Sequence, residues 1–216
     1  MKRFLFLCLA LLPLVLSCKK DEINFNENDL VGAWVCTEWV TGGNEPLANP
    51  DISFEVKADR TSEFHFGAAD NYHLTWAIQG DKLELSGYDS FQKCTLKKLD
   101  KKHFVWILTY DDGKQARASF TNLLQVLPGK WRIESTSYGQ MDITIEATGT
   151  STWAKGDAAP EIIKWSLVFG GERAYPHIKW EGVNVDFADS FDIYDVTDDQ
   201  IDMKSASHLP VTFTRQ

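Results

Sequence analysis

The chain of 216 residues carries 22 basic and 31 acidic side chains, which gives a net charge of −9. Because the sequence holds no basic stripe, it argues against nucleic acid and anionic lipid as partners. At 44% apolar residues the chain can bury a sizeable core. Its length permits two small domains with a core each.

The N-terminus has the features of an export signal rather than of a folded domain. Lys2 and Arg3 form a basic start, and Phe4 to Leu16 is an apolar run that is too short to span a membrane. Charged residues follow Cys18 at once, so we expect cleavage between Ser17 and Cys18. The sequence therefore predicts a signal peptide over residues 1–17.

The residues around Cys18 resemble a bacterial lipobox, and Cys18 to Glu22 resembles the export signal of Bacteroidota surface lipoproteins. The resemblance implies that Cys18 carries acyl chains and that residues 18–29 form a tether. Two or more such chains give stable anchoring. We therefore expect a protein anchored in the outer membrane that faces the cell exterior; the alternatives are its periplasmic face and an ordinary secreted protein.

A short Gly-x-Trp stretch occurs twice, at Gly32 to Trp34 and at Gly129 to Trp131. The features that follow each copy keep the same order: Ile52–Val56 is echoed by Met141–Ile145, Trp76–Ile78 by Trp165–Leu167, and Phe120–Thr121 by Phe213–Thr214. Ordered echoes of this kind indicate a duplicated unit. We predict two units, over residues 30–123 and 124–216.

Both units alternate apolar and polar residues, as in Tyr72, Leu74, Trp76 and Ile78 with their polar neighbours between them. This period of two indicates strands with one buried face. Short turns separate about eight such strands in each unit. The fold class is therefore all-β, with two consecutive antiparallel meanders that close into barrels or pack as sandwiches.

The Gly-x-Trp motif on the first strand, preceded by a short helical turn, resembles the lipocalin or calycin signature. The first unit also has Trp76-Ala77-Ile78 before a Gly-Asp turn, which the second unit lacks. The resemblance implies barrels in which Gly32 and Gly129 allow a tight start and Trp34 and Trp131 plug one end. It also implies an arginine on the last strand against that tryptophan, for which Arg117 and Arg215 are candidates.

The aromatic residues leave two kinds of binding open, of which the resemblance to lipocalin barrels favours the first. One is a small apolar ligand inside a barrel, where the candidate lining residues are Phe54, Phe66, Tyr72, Trp76, Phe104, Trp106 and Trp165. However, a barrel of eight strands is just wide enough to be filled by side chains. The other is a surface that binds glycan or an envelope protein through exposed aromatic residues such as Trp39, Tyr88, Tyr138 and Trp180.

Two cysteines remain after Cys18, namely Cys36 and Cys94, and both are expected to face a core because their repeat counterparts are Ile133 and Phe191. The export compartment permits a disulfide between them. Two buried thiols that behave as small apolar groups are the alternative.

The sequence shows no catalytic or cofactor-binding pattern. No histidine stands two or four residues from another, and no nucleophile elbow or phosphate loop occurs. The acidic run from Asp186 to Asp202 lacks the spacing of a calcium loop, so we interpret it as a solvated strand face and hairpin. We expect a protein without enzyme activity, metal or cofactor.

Overall fold

The computed structural model describes residues 25–42, 45–48, 50–67, 70–88, 94–136, 139–169, 175–183, 188–205 and 209–216. The predicted signal peptide, Cys18 and most of the tether lie outside these residues. The described chain is almost entirely β-structure and forms two closed antiparallel barrels in sequence, each of eight strands. Within the described ranges, no helix is long and apolar enough to cross a membrane.

The first barrel, called barrel 1, begins after a 3-10 turn at Glu27–Asp29. Its strands are β1 (Gly32–Thr41), β3 (Ile52–Val56), β4 (Thr61–Phe66), β5 (Asp70–Gln79), β6 (Lys82–Ser86), β7 (Cys94–Leu99), β8 (His103–Thr109) and β9 (Gln115–Asn122). Each strand pairs with the next, and β9 pairs with β1 to close the barrel. A two-residue strand, β2 (Leu47–Ala48), pairs with the far end of β1.

A single helical turn, α1 (Leu123–Val126), leads directly into the second barrel, called barrel 2. Its strands are β10 (Gly129–Ser135), β11 (Gly139–Glu146), β12 (Thr150–Ala154), β13 (Glu161–Val168), β14 (His177–Gly182), β15 (Ala188–Val196), β16 (Gln200–Ser205) and β17 (Pro210–Arg215). Pairing of β10 with β17 closes this barrel. The described part of the acidic run, Asp189 to Asp202, lies on the β15–β16 hairpin, as predicted, and Asp186 lies outside the described residues.

The two barrels repeat the same hydrogen bonds at equivalent positions. The Ser62 hydroxyl donates to the Leu74 carbonyl, and the Ser151 hydroxyl donates to the Ile163 carbonyl. In the same way, the Trp76 indole donates to the carbonyl of Lys57 at 3.0 Å, and the Trp165 indole donates to that of Glu146 at 3.1 Å. The echoes in the sequence therefore correspond to equivalent places in space.

The first half of strand β1, Gly32 to Cys36, is buried on both faces because the barrels pack against each other. Trp34 and Cys36 belong to the core of barrel 1, whereas Ala33 and Val35 belong to the core cluster of barrel 2. Near the same interface the His65 ring stacks on Phe169 of barrel 2, with ring centroids 6.2 Å apart. The barrels therefore pack against each other through apolar side chains and are not joined by a flexible linker alone.

Candidate functional site

One end of each barrel is plugged by the tryptophan of the Gly-x-Trp motif. The indole nitrogen of Trp34 donates to the Leu30 carbonyl at 2.7 Å, and that of Trp131 donates to the Leu127 carbonyl at 2.7 Å. Both rings are fully buried. Because each indole N–H donates to a backbone carbonyl, burying the tryptophan at the barrel end leaves no hydrogen-bond donor unsatisfied. This end is called the closed end below.

The two motif glycines leave room for a side chain of the last strand. A methyl group at Gly32 would clash with the Asn122 amide, and one at Gly129 would clash with the Arg215 guanidinium. The strand register explains the match, because Trp34 pairs with Asn122 and Trp131 pairs with Arg215.

Arg215 seals the closed end of barrel 2. Its guanidinium lies 4.2 Å from the centre of the Trp131 ring. It donates to the backbone carbonyls of Val126 at 2.6 Å and Asp198 at 2.6 Å, and to that of Pro128 at 3.3 Å. These contacts join the last strand, the linker helix and the β15–β16 turn in one cap.

The other arginine candidate is wrong. Arg117 is exposed and pairs with Glu38 at 2.6 Å instead of lying on Trp34. Asn122 takes the place of the arginine in barrel 1, where its side chain accepts from the backbone amides of Ala33 and Leu124. Arg117 lies on the last strand as expected, but it pairs with Val40, far along β1 from Trp34.

The predicted lining residues Phe54, Phe104 and Trp106 lie inside barrel 1, packed against one another. Ring centroids lie 5.9 Å apart for Phe54 and Trp106 and 5.7 Å apart for Phe104 and Trp106. Phe64 and Phe120 pack against the same Trp106 ring at 5.9 and 5.1 Å. These side chains fill the described interior with an aromatic cluster.

The other four predicted lining residues lie in different places, with Trp76 in barrel 1 and Trp165 in barrel 2. Trp76 and Trp165 are buried with their indoles bonded to backbone carbonyls. Tyr72 packs against Tyr88 at 4.4 Å. Phe66 is 50% exposed at the end of barrel 1 opposite Trp34. The seven residues therefore do not line one cavity.

Among the described residues, no acceptor lies within hydrogen-bond reach of the buried indole N–H groups of Trp106 in barrel 1 and Trp180 in barrel 2. Trp180 is buried, so its predicted exposure is wrong. Its side chain packs edge-on against Trp153, with centroids 5.0 Å apart. Tyr138 lies outside the described residues.

Cys36 and Cys94 are both buried thiols that are not joined to each other, so the disulfide alternative is wrong. They lie on β1 and β7, which are not neighbours in barrel 1. Burial raises the pKa of each thiol to about 12. A thiol with this pKa is a poor nucleophile, because the thiolate is the reactive form.

A cleft of about 460 Å³ lies at the open end of barrel 1, against barrel 2. Leu47 and Phe66 are 59% and 50% exposed there, which makes an apolar surface that faces solvent. We call it the interbarrel cleft; its lining consists of Trp39, Leu47, Pro50, Asp51, Ile52, Phe66, Gly67 and Tyr175.

Two aromatic walls and one polar pair shape the interbarrel cleft. The rings of Trp39 and Phe66 stand nearly at right angles, with centroids 6.5 Å apart. Tyr175 of barrel 2 donates its hydroxyl to the Asp51 carboxylate, and this hydrogen bond raises the pKa of Tyr175 to about 12. The cleft therefore offers flat apolar faces beside a charged acceptor.

Barrel 2 lacks aromatic residues at the positions that form these walls. Ser135 stands in its register where barrel 1 has Trp39. Lys155 follows Trp153 by two residues, just as Phe66 follows Phe64. Since barrel 2 closes without aromatic residues there, closure of the fold does not require Trp39 and Phe66.

The described residues contain no group of three or more His, Cys, Asp or Glu side chains that could hold a metal ion. His65 contacts Asn71 at 2.7 Å and Phe169, and His103 lies near Asp100 and Asp198. These contacts tie strands and turns together.

Neither a comparison with known protein families nor a search of the curated proteins finds a match for this chain.

Proposed function

We propose that this protein is a non-enzymatic binding module of the bacterial cell envelope, held at the outer membrane by acyl chains on Cys18. Two features support the envelope part of the proposal, namely the lipobox-like sequence before Cys18 and the similarity of the tandem Gly-x-Trp barrels to lipocalins. The ligand binds in the interbarrel cleft, outside the barrels.

The observation that carries this proposal is the solvent-facing apolar wall at Leu47 and Phe66, 59% and 50% exposed. Exposed apolar residues scattered singly need no explanation, but grouped ones mark binding surfaces. Here they share one concave cleft with Trp39. Barrel 2 has no aromatic residue at the positions of Trp39 and Phe66, so barrel closure does not require them, while Trp39 also packs its inner side against the core of barrel 1.

Packing inside barrel 1 also favours an external site. Phe54, Phe64, Phe104, Trp106 and Phe120 are each at most 1% exposed. Their rings contact one another across the lumen. A ligand there would have to displace side chains packed at crystal-like density.

The neutral apolar dye Nile red tests the cleft. We expect its fluorescence to rise on binding to the lipid-free chain from residue 19 onward. The variant Trp39→Ala should lower the affinity at least tenfold, because one wall is lost. Ile162 is 53% exposed on barrel 2, so Ile162→Ala is the matched control and should leave the affinity within twofold.

Equal dye affinity in wild type and Trp39→Ala would contradict the cleft as the binding site. Loss of affinity in Ile162→Ala would show that the dye senses general surface hydrophobicity. Circular dichroism of each variant verifies that both barrels remain folded.

The anchor has its own test. Mass spectrometry of the protein extracted from membranes should find acyl chains on Cys18, and Cys18→Ser should release the protein to the soluble fraction. An unmodified mature N-terminus at another residue would contradict the anchor while leaving the cleft untouched.

A second candidate function is a small apolar ligand held inside a barrel, and one observation favours it. Both side chains are buried, yet the indole N–H groups of Trp106 and Trp180 have no acceptor in the part of the chain that the structure describes. An unsatisfied buried donor costs about 1–3 kcal/mol, which a ligand with an acceptor group would recover. Native mass spectrometry of detergent-free protein should then show a bound mass that Trp106→Phe or Trp180→Phe removes.

A further inference from the structure

The interbarrel cleft combines aromatic faces with a carboxylate, and each suits a different part of a sugar ring. A pyranose has C–H groups on its flat faces, which pack on the electron-rich face of an aromatic ring. Its hydroxyl groups project from the edge of the ring. Trp39 and Phe66 supply the flat faces, and Asp51 supplies an acceptor for hydroxyl donors.

We propose that the ligand of the interbarrel cleft is a neutral glycan, with a pyranose ring against Trp39 and a hydroxyl that donates to Asp51. This inference rests on the proposed function of the cleft and names its ligand class. The cleft volume of about 460 Å³ lies within the range of roughly 300–1,000 Å³ that is typical of small-ligand sites.

The Asp51 carboxylate favours sugar over an apolar protein segment. It already accepts a hydrogen bond from Tyr175, and a carboxylate has acceptor sites for several donors. Covering it with apolar side chains would remove water without replacing those hydrogen bonds, which is costly. Sugar hydroxyls replace them with charge-assisted O–H···O⁻ bonds.

The extent of the apolar surface also argues against a protein partner. A stable protein interface buries at least about 1,000 Å² in total. Only Leu47 and Phe66 among the large exposed apolar side chains of the described residues line the cleft. The others lie elsewhere on the surface, namely Tyr88, Leu124, Ile162, Val183 and Leu209.

Electrostatics restrict the glycan to an uncharged one. The chain carries a net charge of −9, and the charged group in the cleft is the carboxylate of Asp51. An acidic polysaccharide would be repelled by both the whole surface and the site itself. The structure therefore favours neutral hexose polymers over uronic acid or sulfated ones.

The experiment uses the full lipidated chain in vesicles of phosphatidylcholine, a lipid without net charge. Fluorescent laminarin, soluble starch and galactomannan are the neutral probes, and polygalacturonate is the acidic one. Vesicle flotation measures the bound fraction, with protein-free vesicles as the blank. We expect at least one neutral probe to bind and polygalacturonate not to bind.

The variants locate the contact. We expect Trp39→Ala to weaken binding at least tenfold and Asp51→Ala at least fivefold. The control Ile162→Ala should change affinity less than twofold. Nile red binding to the lipid-free chain of each variant, from residue 19 onward, separates the two contributions, because Asp51→Ala should reduce sugar binding without reducing dye binding.

Three outcomes would overturn the inference. They are binding of none of the neutral probes, binding of polygalacturonate alone, and neutral binding that is unchanged in Trp39→Ala. If Nile red binding still depends on Trp39 while no polysaccharide binds, the cleft remains the binding site and the assignment of a glycan ligand is wrong. If an uncharged amphipathic peptide then displaces the dye, the occupant is a protein segment.

Discussion

At the residue scale, different side chains occupy equivalent positions beside the plugging tryptophan at the closed ends of the two barrels. Arg215 covers Trp131 and donates to three backbone carbonyls, whereas Asn122 occupies the matching position beside Trp34. In both, a glycine one strand away leaves the required space. Side chain and glycine therefore form a matched pair, and neither can change alone.

The first prediction concerns Arg215. Arg215→Ala should lower the free energy of unfolding by about 2–4 kcal/mol, because it removes a cation–π contact and leaves three carbonyls without their donor. Arg117→Ala is the matched control and should cost less than about 1 kcal/mol, as expected for an exposed ion pair. Urea denaturation measures both, and equal costs would contradict the sealing role.

The second prediction concerns Tyr175, whose pKa the hydrogen bond to Asp51 raises to about 12. Folding favours the protonated phenol, so its contribution to stability is present below the usual phenol pKa of about 10 and is lost as the pH rises towards 12. The difference in phenolate absorbance between wild type and Tyr175→Phe gives the midpoint. In Asp51→Ala it should fall towards about 10; a wild-type midpoint already there would contradict the contact.

At the element scale, the alternation of apolar and polar residues predicts the strands, and the structure confirms the all-β class with eight strands in each barrel. The pattern could not reveal that the first half of β1 is buried on both faces, since Ala33 and Val35 are covered by α1 and barrel 2. Nor could it show which aromatic residues fill the lumen. Phe64 and Phe66 lie two residues apart on β4, yet one is buried and the other half exposed.

The sequence predicts which residues face the interior but not which of them contact one another there. Cys36 and Cys94 were expected to face a core, and they do. Whether they meet depends on strand order around the barrel, which two cysteine positions cannot reveal. The cleft could not be predicted from the sequence because its walls come from distant parts of the chain, namely β1, β4 and the segment before β14. The sequence signal for the cleft is that barrel 2 has no aromatic counterparts of Trp39 and Phe66.

The third prediction concerns the two thiols, whose pKa burial raises to about 12. In folded protein from residue 19 onward, a disulfide reagent for thiols should label neither Cys36 nor Cys94 at pH 8 within minutes. Full denaturation should expose two reactive thiols. Rapid labelling of the folded chain, or no thiols after denaturation without reductant, would contradict two buried thiols.

At the scale of the whole molecule, the interface between the barrels holds them together and borders the proposed binding cleft. Apolar contacts of Ala33 and Val35 join the barrels at one place. Lys102 and Asp198 pair across them at 3.4 Å at another. The cleft opens along the same interface, and Tyr175 reaches Asp51 there. Barrel 1 alone would lack that partner.

The fourth prediction separates folding from assembly. Residues 24–123 should fold as a soluble β-protein with cooperative unfolding, because strands β1 to β9 close within them. Its stability should be lower than that of barrel 1 in the full chain, since Ala33 and Val35 lose their cover. Circular dichroism with urea measures this. A disordered fragment would show that the barrels fold only together.

The central claim is that ligand binds outside the barrels. Among the eight tryptophans, all of them in the described residues, Trp39 alone is not buried. The most direct test is a titration of the ¹⁵N-tryptophan-labelled chain with Nile red, followed through the indole N–H resonances in NMR spectra. The account predicts that the Trp39 resonance shifts while those of Trp106 and Trp180 stay in place. A shift of Trp106 or Trp180 with Trp39 unchanged would place the ligand inside a barrel and contradict the claim.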